Sequence, residues 1–150
     1  PTYFMQNLLW QSDSIANGNT YLDDVGGPVS WVDARDIADV STEALTGEGH
    51  LGKAYGLTGD EALSGDDIAA LLTQTLGRDI TRRAVGPDEA RANMITSGMV
   101  AEVADAMIEL AGLAPKGYLS GTETTVQDVL GRPARRFAGF ITENAAAFGR

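Results

Sequence analysis

The sequence predicts an α/β fold in which short strands alternate with amphipathic helices. The clearest sign is residues 27–46, where a loop runs into a strand-forming segment at 29–32 and then into a helical pattern. Apolar residues make up 43% of the 150-residue chain, and glycine occurs 18 times. That composition suits one folded domain with a buried core and many boundaries between elements.

Strand-forming composition occurs in three segments. They are predicted at about residues 29–32, 53–58 and 79–85. Residues 11–27 are rich in Asn, Gly, Ser and Asp, which predicts a loop with a candidate short strand at 20–22.

Five segments repeat apolar residues at spacings of three and four, which predicts amphipathic helices. Their predicted limits are residues 33–46, 64–76, 87–112, 122–130 and 135–148. The third helix is expected to break near Gly98. Its second part carries an apolar stripe, including Val100, Val103 and Met107, that is expected to face the core.

Two of these helices begin with residues typical of N-terminal caps. Asp33 stands at a cap position with Asp36 three residues on, and Ser64 stands likewise before Asp67. We predict that all four residues are structural caps. In the first helix, the face that carries Asp36 and Asp39 is expected to be exposed to water.

Composition and charge argue against several classes of partner and site. The formal net charge is -10, so the phosphates of a nucleic acid would be repelled. No run of 18 apolar residues predicts a membrane span, and no basic and apolar leader predicts a signal peptide, so the cytoplasm is the expected location. Cysteine is absent, and the carboxylates lack the spacing of a calcium loop, so no metal site is predicted.

No catalytic constellation is visible in the residues themselves. His50 is the only histidine and has no nucleophile motif nearby, and no tyrosine is followed four residues later by lysine. Residues 47–52 read G-x-G-x-x-G, but they follow a predicted helix and precede a predicted strand, the reverse of the order that binds a pyrophosphate. A free amine at Pro1 would act as a base only inside a cationic pocket, which the sequence does not predict.

Eight short segments carry a family pattern when they are read in order. They are residues 1–7, 29–38, 55–59, 63–64, 68–69, 76–78, 87–90 and 131–133. Together they resemble the C-terminal half of NmrA-like proteins, which are atypical short-chain dehydrogenase/reductases with a Rossmann-like NAD(P)-binding fold. That family includes NAD(P)H-dependent quinone and azo-dye reductases, and also redox-sensing regulators without catalysis.

The resemblance implies where a substrate pocket lies. In the family, the segment matching residues 1–7 leaves the sixth strand of the dinucleotide-binding sheet and borders both the nicotinamide and the substrate. Pro1, Phe4 and Asn7 are therefore candidate pocket residues. The implied chemistry is hydride transfer from NAD(P)H to a quinone or similar acceptor, with the cofactor supplying the reactivity.

The resemblance also implies how the strands are arranged. The segment at 53–58 would rejoin the main Rossmann-like sheet. Residues 29–32 and 80–85 would pair as a small parallel sheet in the substrate lobe. Residues 1–150 would then be the substrate-lobe half of the fold, without the dinucleotide-binding half and its glycine-rich loop.

A half of this kind is expected to depend on a partner. We expect the chain alone to bind NAD(P)H weakly, with no saturation below the millimolar range, and to take a small-molecule substrate. The apolar surface predicted around Phe4, Leu8, Leu9 and Trp10 would be covered by a complementing N-terminal half or by a second copy of the chain. The alternative function is a non-catalytic binding or oligomerisation module, or a redox-sensing regulator.

Overall fold

The fold, seen in a computed structural model that describes residues 1–149, combines seven α-helices with one two-stranded sheet. In chain order the elements are α1 (Ser12–Gly18), β1 (Thr20–Asp23), α2 (Ala34–Thr46), α3 (Gly65–Leu76), β2 (Thr81–Ala84), α4 (Pro87–Thr96), α5 (Ala101–Ala111), α6 (Thr125–Leu130) and α7 (Phe137–Glu143). Short 3₁₀ helices cover Met5–Gln11, Ala114–Lys116 and Ala145–Phe148. The predicted α/β class is confirmed.

The sheet joins β1 and β2 in parallel. Its register runs from Thr20 beside Thr81 to Asp23 beside Ala84. The strand predicted at 79–85 and the candidate strand at 20–22 are therefore confirmed. Their partnership differs from the one that the resemblance implied, because β2 pairs with β1 and not with residues 29–32.

The predicted strand at residues 29–32 is wrong, and this segment instead crosses the core as extended chain. Val29 forms an antiparallel bridge with Leu63, and Val32 forms a parallel bridge with Phe4. Because each neighbour pairs with the segment at a single residue, no ladder develops.

The predicted strand at residues 53–58 does not form either. Leu57 is buried and accepts a backbone hydrogen bond from Thr2 at 3.1 Å, but no strand runs beside it within the described residues. A strand requires a neighbouring segment for its ladder, so strand-forming composition alone does not produce one.

The helix predictions are confirmed in most places. α2 and α3 lie within one residue of their predicted limits, and the predicted break near Gly98 separates α4 from α5. The predicted helix 135–148 instead divides into α7 and a 3₁₀ helix, and α6 begins three residues late, at Thr125. Much of the stretch predicted as a loop is helical, since α1 continues to Gly18 before Asn19 ends it in the left-handed region at φ 48°.

The apolar stripe of α5 faces the core only in part. Val100 and Val103 are 61% and 47% exposed, whereas Ala104 is fully buried. α5 packs mainly against α4, so the side of the stripe that α4 does not cover stays open.

Side-chain caps start α2 and α3. The Asp33 carboxylate accepts a hydrogen bond from the backbone N–H of Arg35 at 2.9 Å. In α3 the backbone N–H of Asp67 donates to the Ser64 hydroxyl at 3.3 Å, and the backbone N–H of Ser64 donates to the Asp67 carboxylate at 2.9 Å. This reciprocal pair is the capping box, which satisfies N–H groups at the start of the helix.

The expectation that Asp36 is a cap on an exposed face is wrong. Its carboxylate is fully buried and accepts hydrogen bonds from the side chains of Arg132, at 2.8 Å, and Arg135. The backbone N–H of Arg135 donates to it as well, at 2.7 Å. Asp39 contacts the same two arginines at 2.6 and 3.0 Å, but its side chain is 44% exposed. This network ties α2 to the segment that follows α6.

The main hydrophobic core lies around α3 and α7, which pack against each other. Trp31, Leu72 and Phe137 belong to this core. A smaller cluster forms where α2 packs against α6, and it consists of Val40, Leu57 and Val126.

Arg78 joins three segments that are distant in sequence. Its guanidinium donates hydrogen bonds to the backbone oxygens of Ile15, at 3.0 Å, and Phe148, and it also contacts the Asn19 side chain. The 3₁₀ helix at Ala145–Phe148 is thereby held against α1, which it also contacts directly.

Candidate functional site

A cavity of about 250 Å³ opens between the first helical segments of the chain and the pair α4 and α5. Its lining comes from both sides of the core. The aromatic, methionine and polar residues of the lining include Tyr3, Asn7, Trp10, Asp24, Trp31, Asn93, Met94, Ser97, Met99, Met107 and Phe137. Most of these side chains are apolar or aromatic, which is typical of a small-molecule site.

Three aromatic rings form the inner wall of the cavity. Trp31 lies edge to face with Tyr3 on one side and Phe137 on the other, at centroid distances of 5.3 and 5.6 Å. The Tyr3 hydroxyl donates a hydrogen bond to the backbone oxygen of Met107 at 3.3 Å. Burial, with a smaller contribution from the charge of Asp24, raises the pKa of that hydroxyl above its ordinary value. It therefore stays protonated at neutral pH.

The opposite wall belongs to α4, α5 and the turn between them, and it is rich in methionine. Met94, Met99 and Met107 lie in the lining and are each partly buried. An exposed ion pair between Arg91 and Asp105 joins the two helices beside this wall. Thioether side chains adjust to ligands of different outline, so this wall can adapt to the shape of a ring.

The lining also carries polar side chains, which include Asn7, Gln11, Ser14 and Asp24. Burial raises the pKa of the Asp24 carboxyl; a hydrogen bond from its own backbone N–H opposes the rise, and the charge of Asp23 adds to it. The indole nitrogen of Trp31 is buried, and it has no hydrogen-bond partner among the described residues. The cavity can enclose an apolar ring, and polar side chains of the lining can contact polar atoms of a ligand.

Of the three residues that the resemblance assigned to the pocket, only Asn7 is in the lining. Phe4 is 39% exposed and sits in the backbone bridge to Val32, and Pro1 is exposed at the surface. Neither contributes to this cavity. The apolar surface predicted around Phe4, Leu8, Leu9 and Trp10 is smaller than expected, because Leu8 is buried. Trp10 does belong to the surface, since it is 61% exposed.

Sequence reasoning missed the aromatic and methionine walls. Tyr3 is one residue from Phe4 in the segment that the resemblance selected, and Trp31 is in a segment that was interpreted as a strand. Met107 lies on the apolar stripe that the sequence predicts, but an apolar stripe does not indicate that it borders a cavity. Only the packing of α4 and α5 beside the N-terminal segment brings these residues together.

Other parts of the described chain carry weaker candidates for a functional site. A second, smaller cavity of about 160 Å³ near α6 is lined by polar residues that include Asp60 and Glu123. Within residues 1–149, no three His, Cys, Asp or Glu side chains are grouped so as to hold a metal ion. Nor does any helix in that range have the length and apolar character to cross a bilayer.

Curated proteins share clear sequence similarity with the chain. It is 48% identical over 150 residues to the NAD(P)H azoreductase of Xenophilus azovorans, which covers 99% of this chain and 52% of that protein. The resemblance to NmrA-like reductases is confirmed. The chain is also 36% identical over 149 residues to the (4-alkanoyl-5-oxo-2,5-dihydrofuran-3-yl)methyl phosphate reductase of Streptomyces griseus, with the same coverage of 99% and 52%.

Solved structures share the fold of this chain. The NADPH-dependent quinone oxidoreductase of Escherichia coli matches it with a TM-score of 0.85 at 23% identity, over 95% of this chain and 52% of that one. The triphenylmethane reductase of Citrobacter sp. gives a TM-score of 0.81 at 19% identity, over 95% and 50%. The chain spans about half the length of the curated relatives it matches. No protein-family model matches it.

Proposed function

We propose that the chain is the substrate-binding part of an NAD(P)H-dependent oxidoreductase that reduces a quinone or azo-type acceptor by hydride transfer. The observation that carries the proposal is the cavity walled by Tyr3, Trp31 and Phe137 and by the α4–α5 methionines. The 48% identity to an NAD(P)H azoreductase supports the reaction class. A flat aromatic acceptor suits walls of this kind because rings pack favourably on aromatic side chains and thioethers.

The size of the cavity favours the smaller of the two acceptor types. Its volume of about 250 Å³ is slightly below the roughly 300–1,000 Å³ usual for drug-sized ligands. A compact ring system such as a quinone therefore fits better than an extended azo dye. We accordingly place a quinone first and an azo compound second.

The described residues do not fit the diphosphate of a dinucleotide. The G-x-G-x-x-G pattern at 47–52 follows α2 and opens no helix, and neither Gly49 nor Gly52 has any atom within 4 Å of the place where a Cβ would lie. A phosphate cradle needs backbone amides at the start of a helix. We propose that the cofactor is held by a complementing dinucleotide-binding half, and that residues 1–150 orient the acceptor and exclude water from it.

Two measurements test whether the complementing half binds the cofactor while this chain binds the acceptor. Titration of NADPH into the chain alone should show no saturation below the millimolar range, and a micromolar dissociation constant would contradict the proposal. The chain should then be fused to the part of the Xenophilus azovorans azoreductase that lies outside the match. Quinone-dependent loss of NADPH absorbance by the fusion is the expected result. Quinone binding without any NADPH oxidation would instead favour the non-catalytic binding module.

A matched pair of variants ties the activity to the cavity. Asn7→Ala removes an amide side chain from the lining, whereas Gln74→Ala removes one from an exposed position of α3 that is not in the lining. The first should lower kcat/KM for the quinone and the second should leave it unchanged. Equal values for the two variants would remove Asn7 from the proposed site.

A second copy of the chain is the other partner to consider. The exposed Phe4 and Trp10 side chains are the aromatic surface that a partner would cover. We propose that the complementing half, and not a second copy, fills this role in the functional protein. Light scattering on the fusion should then give the mass of a single fused chain, and a dimer would contradict this choice.

A further inference from the structure

The side chain of Tyr21 is buried, and its hydroxyl has no partner in the protein. Tyr21 is 2% exposed and belongs to the lining of the cavity. Its hydroxyl forms no hydrogen bond with any described residue. Buried polar groups are nearly always paired in native proteins, because an unpaired one gives up its hydrogen bonds to water. An unpaired hydroxyl in the wall of a cavity therefore points to a contact with a ligand.

The Tyr21 hydroxyl can be reached from the cavity. Among residues 1–149, the Trp31 indole nitrogen is the one side-chain polar atom that is both fully enclosed and unpaired. The unpaired Tyr21 hydroxyl therefore keeps some accessible surface. Because nearly the whole of this side chain is buried and the cavity is the space that it borders, that surface opens into the cavity.

The backbone that carries Tyr21 is held firmly in the sheet. β1 pairs in parallel with β2, and Tyr21 lies opposite Arg82 in that register. The next residue, Leu22, is held by the Gln11 side chain. The Leu22 N–H donates to Gln11 Oε1 at 2.8 Å, and Gln11 Nε2 donates to the Leu22 oxygen at 2.9 Å. The hydroxyl is thus placed before any ligand arrives.

The Tyr21 hydroxyl is protonated at neutral pH and can donate a hydrogen bond. Burial raises the pKa of this hydroxyl well above its ordinary value, and the charges of Asp23 and Asp24 raise it further. Arg82 acts in the opposite direction, but its guanidinium is paired with Asp23 at 2.7 Å. A ligand atom that accepts a hydrogen bond therefore matches this group.

Most other polar side chains of the lining are paired within the protein or exposed to water. The hydroxyls that already donate to backbone oxygens belong to Tyr3, Ser14 and Ser97. Trp10 and Asn93 are exposed. The Asn7 amide is also unpaired, but Asn7 is less buried than Tyr21. Tyr21 thus offers a ligand the most deeply buried donor that is open to the cavity.

We propose that the Tyr21 hydroxyl donates a hydrogen bond to a carbonyl oxygen of the acceptor, and so favours quinones over hydrocarbon rings of the same outline. The inference rests on the proposed function, because it assumes that the acceptor occupies this cavity. It assigns Tyr21 a role in specificity. A ring without an acceptor atom leaves the hydroxyl unpaired, whereas a quinone satisfies it.

Two tyrosine variants test the proposal in the 150-residue chain. Tyr21→Phe removes the hydroxyl and breaks no hydrogen bond within the protein, so circular dichroism and the melting temperature should show a folded chain. Tyr118→Phe is the matched control, because it makes the same change at a residue that is 74% exposed and outside the lining.

Nuclear magnetic resonance on ¹³C-methyl-labelled methionine reports binding, since three of the four methionines line the cavity. The ligands are 1,4-naphthoquinone and naphthalene, which share a ring outline, and the absence of cysteine means that no thiol consumes the quinone. Because the two ligands differ in hydrophobicity, the ratio of their affinities is compared between variants. Tyr21→Phe should lower the affinity for the quinone about tenfold and leave that for naphthalene unchanged, and Tyr118→Phe should change neither.

Infrared spectroscopy of the bound quinone provides a second measurement on the unmodified chain. A hydrogen bond lowers the stretching frequency of the carbonyl group, so the frequency should fall below its value in an apolar solvent. Nuclear Overhauser effects should also connect the ring protons of Tyr21 with those of the quinone. These two results decide the question if Tyr21→Phe does not fold.

The possible failures have different meanings. The hydrogen bond is refuted if the quinone binds Tyr21→Phe as tightly as the unmodified chain, if its carbonyl frequency is not lowered, or if the lowered frequency persists in Tyr21→Phe. The aromatic cavity then still stands as the acceptor site. If the quinone does not perturb the methyl signals of Met94, Met99 and Met107, the cavity is not that site. The placement of the acceptor in the proposed function then fails together with this inference.

Discussion

Asp36→Asn should lower the free energy of unfolding by more than the same substitution of an exposed aspartate in the first turn of a helix. The substitution removes a fully buried charge that binds Arg132, Arg135 and the backbone N–H of Arg135. Loss of one partner from a fully buried ion pair costs about 3–5 kcal/mol. Here both arginine side chains are about one third exposed, at 34% and 32%, and Asp39 remains as a partner. We therefore expect a loss of about 2–3 kcal/mol in the free energy of unfolding.

Urea unfolding followed by tryptophan fluorescence measures this loss, and thermal melts should show a fall in Tm of about 5–10 °C. Asp39→Asn is the matched control, because it makes the same change of charge beside the same two arginines at a position that is 44% exposed. Its loss should be clearly smaller. Equal losses for the two variants, or a loss for Asp36→Asn below about 0.5 kcal/mol, would refute the view that burial of Asp36 makes the network stabilising.

Three further predictions concern the caps and one close contact. Burial acts to raise the pKa of the Asp33 carboxyl, but hydrogen bonds led by the Arg35 side chain outweigh it and lower the pKa below 3.8. The cap therefore stabilises the fold above pH 3.8 and loses this effect as the pH falls through the lowered pKa, which urea unfolding between about pH 6 and about pH 2 would measure. Gly59→Ala would place a Cβ 2.1 Å from the backbone oxygen of Trp31, so urea unfolding should show a loss of about 1–3 kcal/mol. Ser64→Ala removes the cap of α3 and should cost about 1 kcal/mol in the same assay.

Each of these predictions has a control in the same chain. The acid dependence should flatten in Asp33→Asn, and an unchanged profile would exclude that carboxyl as its source. Gly121→Ala adds the same methyl group where no atom lies within 4 Å, so a loss equal to that of Gly59→Ala would show that the contact with Trp31 is not the cause. Ser41→Ala, at an exposed position of α2, should not be destabilising, in contrast to Ser64→Ala.

The features that depend on neighbours in sequence were predictable. The capping box joins Ser64 to Asp67 within one turn, and the residues between them already specify it. Asp36 occupies the corresponding place after Asp33, yet its partners are 96 and 99 positions away, at Arg132 and Arg135. The local sequence pattern cannot distinguish an aspartate that caps a helix from one that forms ion pairs with arginines distant in sequence.

Strands were harder to predict because a strand is defined by its neighbour. Residues 29–32 have the right composition, but they meet Leu63 and Phe4 at single bridges, whereas residues 20–23 find a full partner in β2. The cavity was missed for the same reason. The resemblance led to Asn7, but the aromatic wall formed by Tyr3, Trp31 and Phe137 is visible only when the packing around it is known.

The parallel pairing of β1 with β2 also governs when this chain can fold during synthesis. Asp23 and Arg82, whose side chains form an ion pair between the two strands, are 59 positions apart, and Arg78 must contact Ile15 and Phe148, which are 63 and 70 positions away. Contacts of such long range form slowly and late. As the ribosome extends the chain, α1 and β1 emerge long before their partners, with core residues such as Tyr21 uncovered. The nascent chain should therefore need protection from chaperones until residue 148 has been made.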